Sequence, residues 1–288
     1  MAKMILSAFA DEYSDNFAKQ LLYLNSENIG YLEIRGVDGK NVSELSLDDV
    51  KKCKNLLDSH GIKISSIGSP LGKISLSDNM DEHLETAKRV FETACFLETN
   101  YCRIFSFYIP KNKQPEDFKN QVFERMEKLL DLAQSYGVTL CHENEDGIYG
   151  ETPQRCAELM KAFGGRLKCV FDMGNFVLNG CTPYPEGYNL LSDSIEYFHI
   201  KDSQSAGAIV PPGLGEAKIK EVITAHLAKA ENDFFVTIEP HLQTFGGFNA
   251  LTDRTFDNPY KFETREIAFK EAVKRFKELF NKEMILWY

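Results

Sequence analysis

The chain has 288 residues, 43% of them hydrophobic and 26% charged, with 33 Lys+Arg against 43 Asp+Glu and a formal net charge of −10. A chain this long buries a large core without staples, and its acidic balance, without any run of basic residues, repels phosphate backbones and speaks against nucleic acid as a partner. The start of the chain meets Asp11 and Glu12 without a long apolar run, no stretch approaches the roughly 20 apolar residues that span a bilayer, and the seven cysteines are scattered, odd in number and without a Cys-x-x-Cys pair. Reduced, mostly buried thiols in a cytoplasmic protein with no membrane partner are the expectation.

Short β-branched or aromatic runs alternate with longer amphipathic stretches. Residues 5–9 read as a strand and 16–28 as a helix with Phe17, Leu21 and Leu24 on one face. Residues 31–35 are the second strand, followed by a helix over 47–60 that Gly61 ends. A third strand over 62–67 precedes a helix over 82–97, and a fourth over 101–106 precedes a helix over 115–136. Strand five covers 138–142; helix five covers 152–163, with Thr152 as N-cap and Pro153 at its first position. Strand six covers 167–171, and after it the pattern is least regular, with a short helix at most near 190–194. Strand seven covers 195–200, helix seven 217–230, strand eight 234–238, and a last helix 261–281. The Gly/Pro-rich stretch over 203–215 falls between strand seven and its helix.

Helical crossovers force parallel pairing, and eight β/α pairs in a row close as an α/β fold of the (β/α)8 TIM barrel type. No linker divides the chain, so a single domain over residues 1–288 is expected.

Barrel enzymes carry their chemistry at the C-terminal ends of the strands. In the second half those ends hold Glu143, Asp172, His199 and Glu239. One acid at a strand end is usually a solvated loop residue, and one strand His is usually a core residue; four potential ligands at four successive tips point instead to one divalent metal. Two Glu, one Asp and one His suit Mn, Mg, Co or Zn. Lys201 follows His199 by two residues, and so does His241 after Glu239; both are candidate substrate contacts, with a Lys201–Asp202 pair as the plain reading of the former. Arg103, Glu33 and Arg35 line the expected mouth, where a Glu33–Arg35 ion pair is the plain reading. Asn144 and Glu145 are placed to orient Glu143, and His142 should point the other way. Phe9, Phe105, Phe107, Tyr108, Phe176, Phe245 and Phe248 lie near tips or in βα loops, as core or as shield. His60, His83 and His226 fall in helical stretches and read as surface residues.

The segments His142-Glu143-Asn144, Phe171-Asp172-Met173-Gly174-Asn175, His199-Ile200-Lys201-Asp202, Pro212-Gly213-Leu214-Gly215-Glu216 and Ile238-Glu239-Pro240-His241 resemble the xylose isomerase-like barrels. The group is that of the sugar phosphate isomerases and epimerases, with ketose 3-epimerases, hydroxypyruvate isomerases and inosose dehydratases, and endonuclease IV as a relation. The resemblance runs over nearly the whole chain. It implies Glu143, Asp172, His199 and Glu239 as metal ligands and Glu143 and Glu239 as the acid–base pair. It also implies a small sugar or polyol substrate, moved by proton transfer through an enediolate, and barrels of this kind often form homo-oligomers. A dehydratase of a keto-polyol shares the first step and stays open. A three-zinc nuclease would need several further histidines near strand tips, and a mere sugar binder would not need four metal ligands. The ketose 3-epimerases tend to carry a substrate-touching His three residues past the Asp, where this chain has Asn175.

Overall fold

The computed structural model describes residues 2–243, 259–280 and 282–286. Eight strands form the inner wall: β1 Met4–Ala8, β2 Tyr31–Ile34, β3 Lys63–Gly68, β4 Tyr101–Ile104, β5 Thr139–Glu143, β6 Leu167–Asp172, β7 Ile195–Ile200 and β8 Phe234–Ile238. They pair in parallel in the order β1-β8-β7-β6-β5-β4-β3-β2. β1 and β2 stand side by side and close the ring. The short strand Ile285–Leu286 adds to the first two residues of β1. Strand residues are buried almost throughout, because helices cover the outer face and side chains fill the inside.

The outer layer consists of α1 Phe17–Ser26, α2 Leu47–His60, α3 Met80–Phe96, α4 Lys119–Ser135, α5 Pro153–Phe163, α6 Met173–Leu178, α7 Tyr188–Leu191, α8 Ile219–Lys229 and α9 Arg265–Leu279. Local chemistry fixes several ends. Ser46 and Asp49 form a capping box at the start of α2, and Gly61, at φ 67°, ends it. Thr152 accepts from the Arg155 N–H ahead of Pro153, as its spacing predicts, and Gly164 closes α5. The strands and long helices fall within a few residues of the sequence expectation. The last helix stops at Leu279; its expected end at Asn281, like Phe245 and Phe248, lies outside the described residues. The helix α6, directly after β6, was not expected. It forms because the Asp172 side chain, at its N-cap, accepts from the Asn175 N–H.

Two histidines correct the sequence reading. His83 and His226 are buried, not on the surface. His83 Nε2 accepts from the Gly72 N–H at 2.9 Å. The His226 ring packs edge-on to Phe234 and Phe198, with centroids 4.7 and 4.9 Å away. Of the cysteines, only Cys95 is exposed, and all seven are free.

Candidate metal centre

The ladder places the four expected ligands side by side at one end of the barrel. Asp172 stands opposite His199 across β6 and β7, and His199 stands opposite Thr237, two residues before Glu239, across β7 and β8. One ligand atom from each of Glu143, Asp172, His199 and Glu239 lies within 4.8 Å of the others, and all four residues are buried. His199 Nδ1 is 2.9 Å from Glu143 Oε1 and 3.1 Å from Glu239 Oε2.

Each carboxylate keeps one oxygen toward this centre while its other oxygen is held from outside. Arg103 donates to Glu143 Oε2 at 2.7 Å, and Arg35 donates to Glu239 Oε1 at 2.7 Å. Asp172 Oδ1 accepts from the Asn175 N–H at 2.8 Å, and its Oδ2 lies 2.9 Å from Lys201 Nζ. Lys201 also reaches Asn175 Oδ1 at 3.1 Å and Glu239 Oε2 at 3.4 Å. These interactions set the protonation states. Burial alone would raise the Glu143 carboxyl, but the His199 and Arg103 charges outweigh it and hold the group below the ordinary range. Burial likewise opposes Glu239, and Lys201 and His199 hold it well below that range. For Asp172 burial wins over Lys201 and pushes the group up.

Several expected residues occupy places the sequence did not reveal. Lys201 pairs with Asp172 rather than with Asp202. The Asp202 carboxylate instead accepts four backbone N–H groups, from Ser203, Gly213, Gly215 and Ala217 at 2.8–3.1 Å, and so folds the Gly-rich loop onto itself. Gly215 is required there, since a Cβ would stand 2.1 Å from Asp202 Oδ1; a Cβ at Gly174 would likewise stand 2.8 Å from Lys201 Cγ. Asn144 is tied to the Asp172 backbone from both of its amide atoms, at 2.9 and 3.0 Å, and so positions Asp172. Glu145 turns away to Lys73, at 3.0 Å. Asn175 is spent on Asn144, Asp172 and Lys201. Glu33 and Arg35 diverge: Glu33 reaches across the barrel to His199 Nε2 at 3.1 Å, while Arg35 binds Asp11, Glu12 and Glu239. His241, with φ 48°, donates its N–H to Glu12 Oε2, and its Nε2 lies 3.4 Å from Glu12 Oε1 and from Glu239 Oε1. Burial, joined by the Lys201 charge, lowers the His241 imidazole to about 3. His142 points away from the cluster, to Ser106 at 2.9 Å.

Sequence reasoning passed over Asp11, Glu12 and Lys73. The first two follow directly on β1 and were open to the same strand-tip reading. Lys73 has no such signal; it sits in the β3–α3 loop with its ammonium 4.3 Å from the Phe105 ring centre, and burial lowers it.

A barrel with three carboxylates and one imidazole gathered at its C-terminal rim defines a class, and the sequence comparison agrees. The chain matches the xylose isomerase-like TIM barrel profile over residues 25–279 and belongs to that family. A stretch of 145 residues is 30% identical to the probable L-ribulose-5-phosphate 3-epimerase UlaE of Mycoplasma pneumoniae; the match covers 47% of this chain and only 46% of that relative. The D-allulose 3-epimerase of Methylomonas sp., solved with D-allulose, superposes with a TM-score of 0.73 at 14% identity, over 97% of this chain and 98% of that one. The IolI protein, solved with a zinc atom, gives a TM-score of 0.71 at 18% identity, over 96% of this chain and 98% of that one. At such identities the superpositions establish the shared fold.

Proposed function

We propose that this protein is a divalent-metal-dependent isomerase or epimerase that moves a proton beside the carbonyl of a neutral polyhydroxy ketone. The observation that carries the reading is the convergence of the Glu143, Asp172, His199 and Glu239 ligand atoms within 4.8 Å. The donor set fits a divalent cation: three buried carboxylates and an imidazole converge, the oxygen and nitrogen donors that such cations take. The relatives support an epimerase and a metal, though not the substrate's charge: one is named a probable 3-epimerase of a sugar phosphate, one was solved with a ketose and one with zinc.

Glu143, Asp172, His199 and Glu239 would hold the cation, which would supply Lewis acidity toward the substrate's carbonyl oxygen and so make the proton on the neighbouring carbon easier to remove. Glu143 and Glu239 come from the two ends of the β5–β8 arc. Each has one oxygen clamped by a guanidinium and one turned inward, which fixes its aim; we assign them the base and acid roles. Both are held ionised in the metal-free chain, as a base must be. Lys201 orients Asp172 and Glu239, and His241 lies at the Glu239 edge of the site.

Charge bears on the substrate class. Among the described residues, the cations of the mouth are already engaged: Arg35 by Asp11, Glu12 and Glu239, Arg103 by Glu143, Lys201 by Asp172, and Lys73 by Glu145. The amides of the Gly-rich loop, a common phosphate cradle in barrels, are turned to Asp202. A phosphate ester would meet carboxylates with their cations spent, so we infer an unphosphorylated substrate.

The test is solvent exchange. Incubated with unphosphorylated ketoses in heavy water, the metal-loaded protein should place deuterium on the carbon beside the carbonyl. Glu143→Gln and Glu239→Gln should each lower that rate by about 10²–10⁴, and the matching phosphate esters should react at least ~10-fold less well. Product that has lost water assigns the site to a dehydratase. No exchange with any ketose, inosose or hydroxypyruvate contradicts the proposal.

A further inference from the structure

Glu33 enters from β2, on the far wall from the ligand arc, and is fully buried. Its carboxylate meets three groups from the opposite side. Oε1 accepts from the Tyr197 hydroxyl at 2.9 Å, and Oε2 accepts from the Thr237 hydroxyl at 2.8 Å. Oε2 also lies 3.1 Å from His199 Nε2. Behind Tyr197, the Ser66 hydroxyl is 3.0 Å from the Tyr197 hydroxyl. With two hydroxyls donating to it, Glu33 stands as an acceptor-only carboxylate, and an acceptor facing an imidazole nitrogen requires that nitrogen to carry the hydrogen. Nδ1 faces carboxylate oxygens as well, so the metal-free ring carries hydrogen on both nitrogens; where a cation takes the place of the hydrogen among the gathered ligand atoms, it does so at Nδ1, and Nε2–H stays toward Glu33. Nδ1 is the nitrogen that faces Glu143 Oε1 and Glu239 Oε2. Packing cannot make this choice. Phe9 and Tyr197 fix the plane of the ring, at centroid distances of 5.1 and 5.6 Å, but neither distinguishes one tautomer from the other.

We propose that Glu33 is a positioning residue: it holds His199 in the Nε2–H tautomer and thereby makes Nδ1 the nitrogen that binds the metal. The assignment rests on the metal reading above, and it replaces the expected role of Glu33 as a substrate contact. A carboxylate on a metal-bound histidine fixes the ring and raises its basicity. Here the carboxylate comes from 166 residues away along the chain, so β2 and the ligand arc are set by one contact.

The experiment uses full-length protein carrying nitrogen-15 in its histidine rings, titrated with Zn²⁺, which is diamagnetic. His199 is assigned by the signals that vanish in His199→Asn. The wild type is expected to show Nε2 bearing hydrogen and Nδ1 shifted by the metal. Glu33→Gln has the same shape, but its amide group offers hydrogens to Nε2 and favours the other tautomer; Zn²⁺ affinity, measured by chelator competition, should fall 10–100-fold and the Nδ1 metal signal should be lost. Glu33→Asp, which keeps the charge, should recover part of the affinity. Tyr197→Phe, which leaves the His199 contact in place, should stay within about 3-fold of wild type. Nε2 metal-bound in the wild type would overturn the inference without recourse to any variant, which covers a Glu33→Gln chain that does not fold. Unchanged affinity with Nδ1 still metal-bound in Glu33→Gln would overturn it as well. A wild type that takes up no zinc would overturn the metal reading and this inference together, so the two failures are distinguishable.

Discussion

The two halves of the barrel contribute differently to the centre. The arc β5–β8 presents Glu143, Asp172, His199 and Glu239 inward, while β1–β4 and their loops supply the groups that hold them: Arg103 on Glu143, Arg35 on Glu239, Glu33 on His199. One half carries the proposed ligands and the other the restraints on three of them; Asp172 is held from within the arc, by Asn144, Asn175 and Lys201. Three like charges brought together would otherwise repel and turn outward. The lesson is that a strand-tip charge in such a barrel is either reactive or a clamp, and its partner tells which.

The sharpest way to break this comparison is at Arg103. If it were a substrate contact, as the sequence suggests, removing it would raise KM and leave folding unchanged. As a clamp on a buried carboxylate, Arg103→Met should cost about 3–5 kcal/mol of stability, read as a drop in the denaturant midpoint of metal-free protein.

The next test lies outside both halves, in the helical layer. Burial lowers His83 and His226 to about 4 each, from an unfolded value near 6.5. Native protein therefore keeps both neutral while the unfolded chain takes up protons below about pH 6.5. Their stabilising contribution is complete above that pH and is lost as pH falls from about 6.5 to 4. His226→Phe should flatten the fall in unfolding free energy over that window by about 2–3 kcal/mol, measured by urea titration at several pH values. An unchanged slope would show that His226 has no part in the acid response.

The smallest expected effect sharpens the account of the ligand arc itself. Asp202 sits at a strand tip in the reactive half, yet its four contacts are backbone amides of its own loop. Asp202→Asn, which turns an amide group toward N–H donors, should cost about 1–2 kcal/mol and leave metal affinity unaltered. Loss of metal would move Asp202 into the ligand network.

Much of this was legible in the sequence. Strands that follow a β-rich pattern and helices with capped ends could be counted, and the four proposed ligands lie at equivalent points of four consecutive repeats. The clamps were not legible, because their partners are distant: Arg35 and Glu239 are 204 residues apart, as are Thr237 and Glu33. Local pairing rules suggested Glu33–Arg35 and Lys201–Asp202, whereas the closed ring offered each charge a better partner across the barrel. His83 and His226 were misjudged because a helix has an inner face, and one polar residue on it does not disturb the periodicity. Asn175 is clearer in the structure than in the sequence: where the ketose 3-epimerases tend to have a His for substrate, this chain uses an Asn to bind Asn144 and Lys201.

Glu143, Asp172, His199 and Glu239 are proposed to hold one divalent metal. Elemental analysis of purified protein, reconstituted with Mn²⁺, Co²⁺ or Zn²⁺ and freed of excess, tests it most directly. One ion per chain is expected in the wild type, and a near-total loss in Asp172→Ala and His199→Ala. A wild type that retains no ion after reconstitution, or one whose ion survives both substitutions, would contradict it.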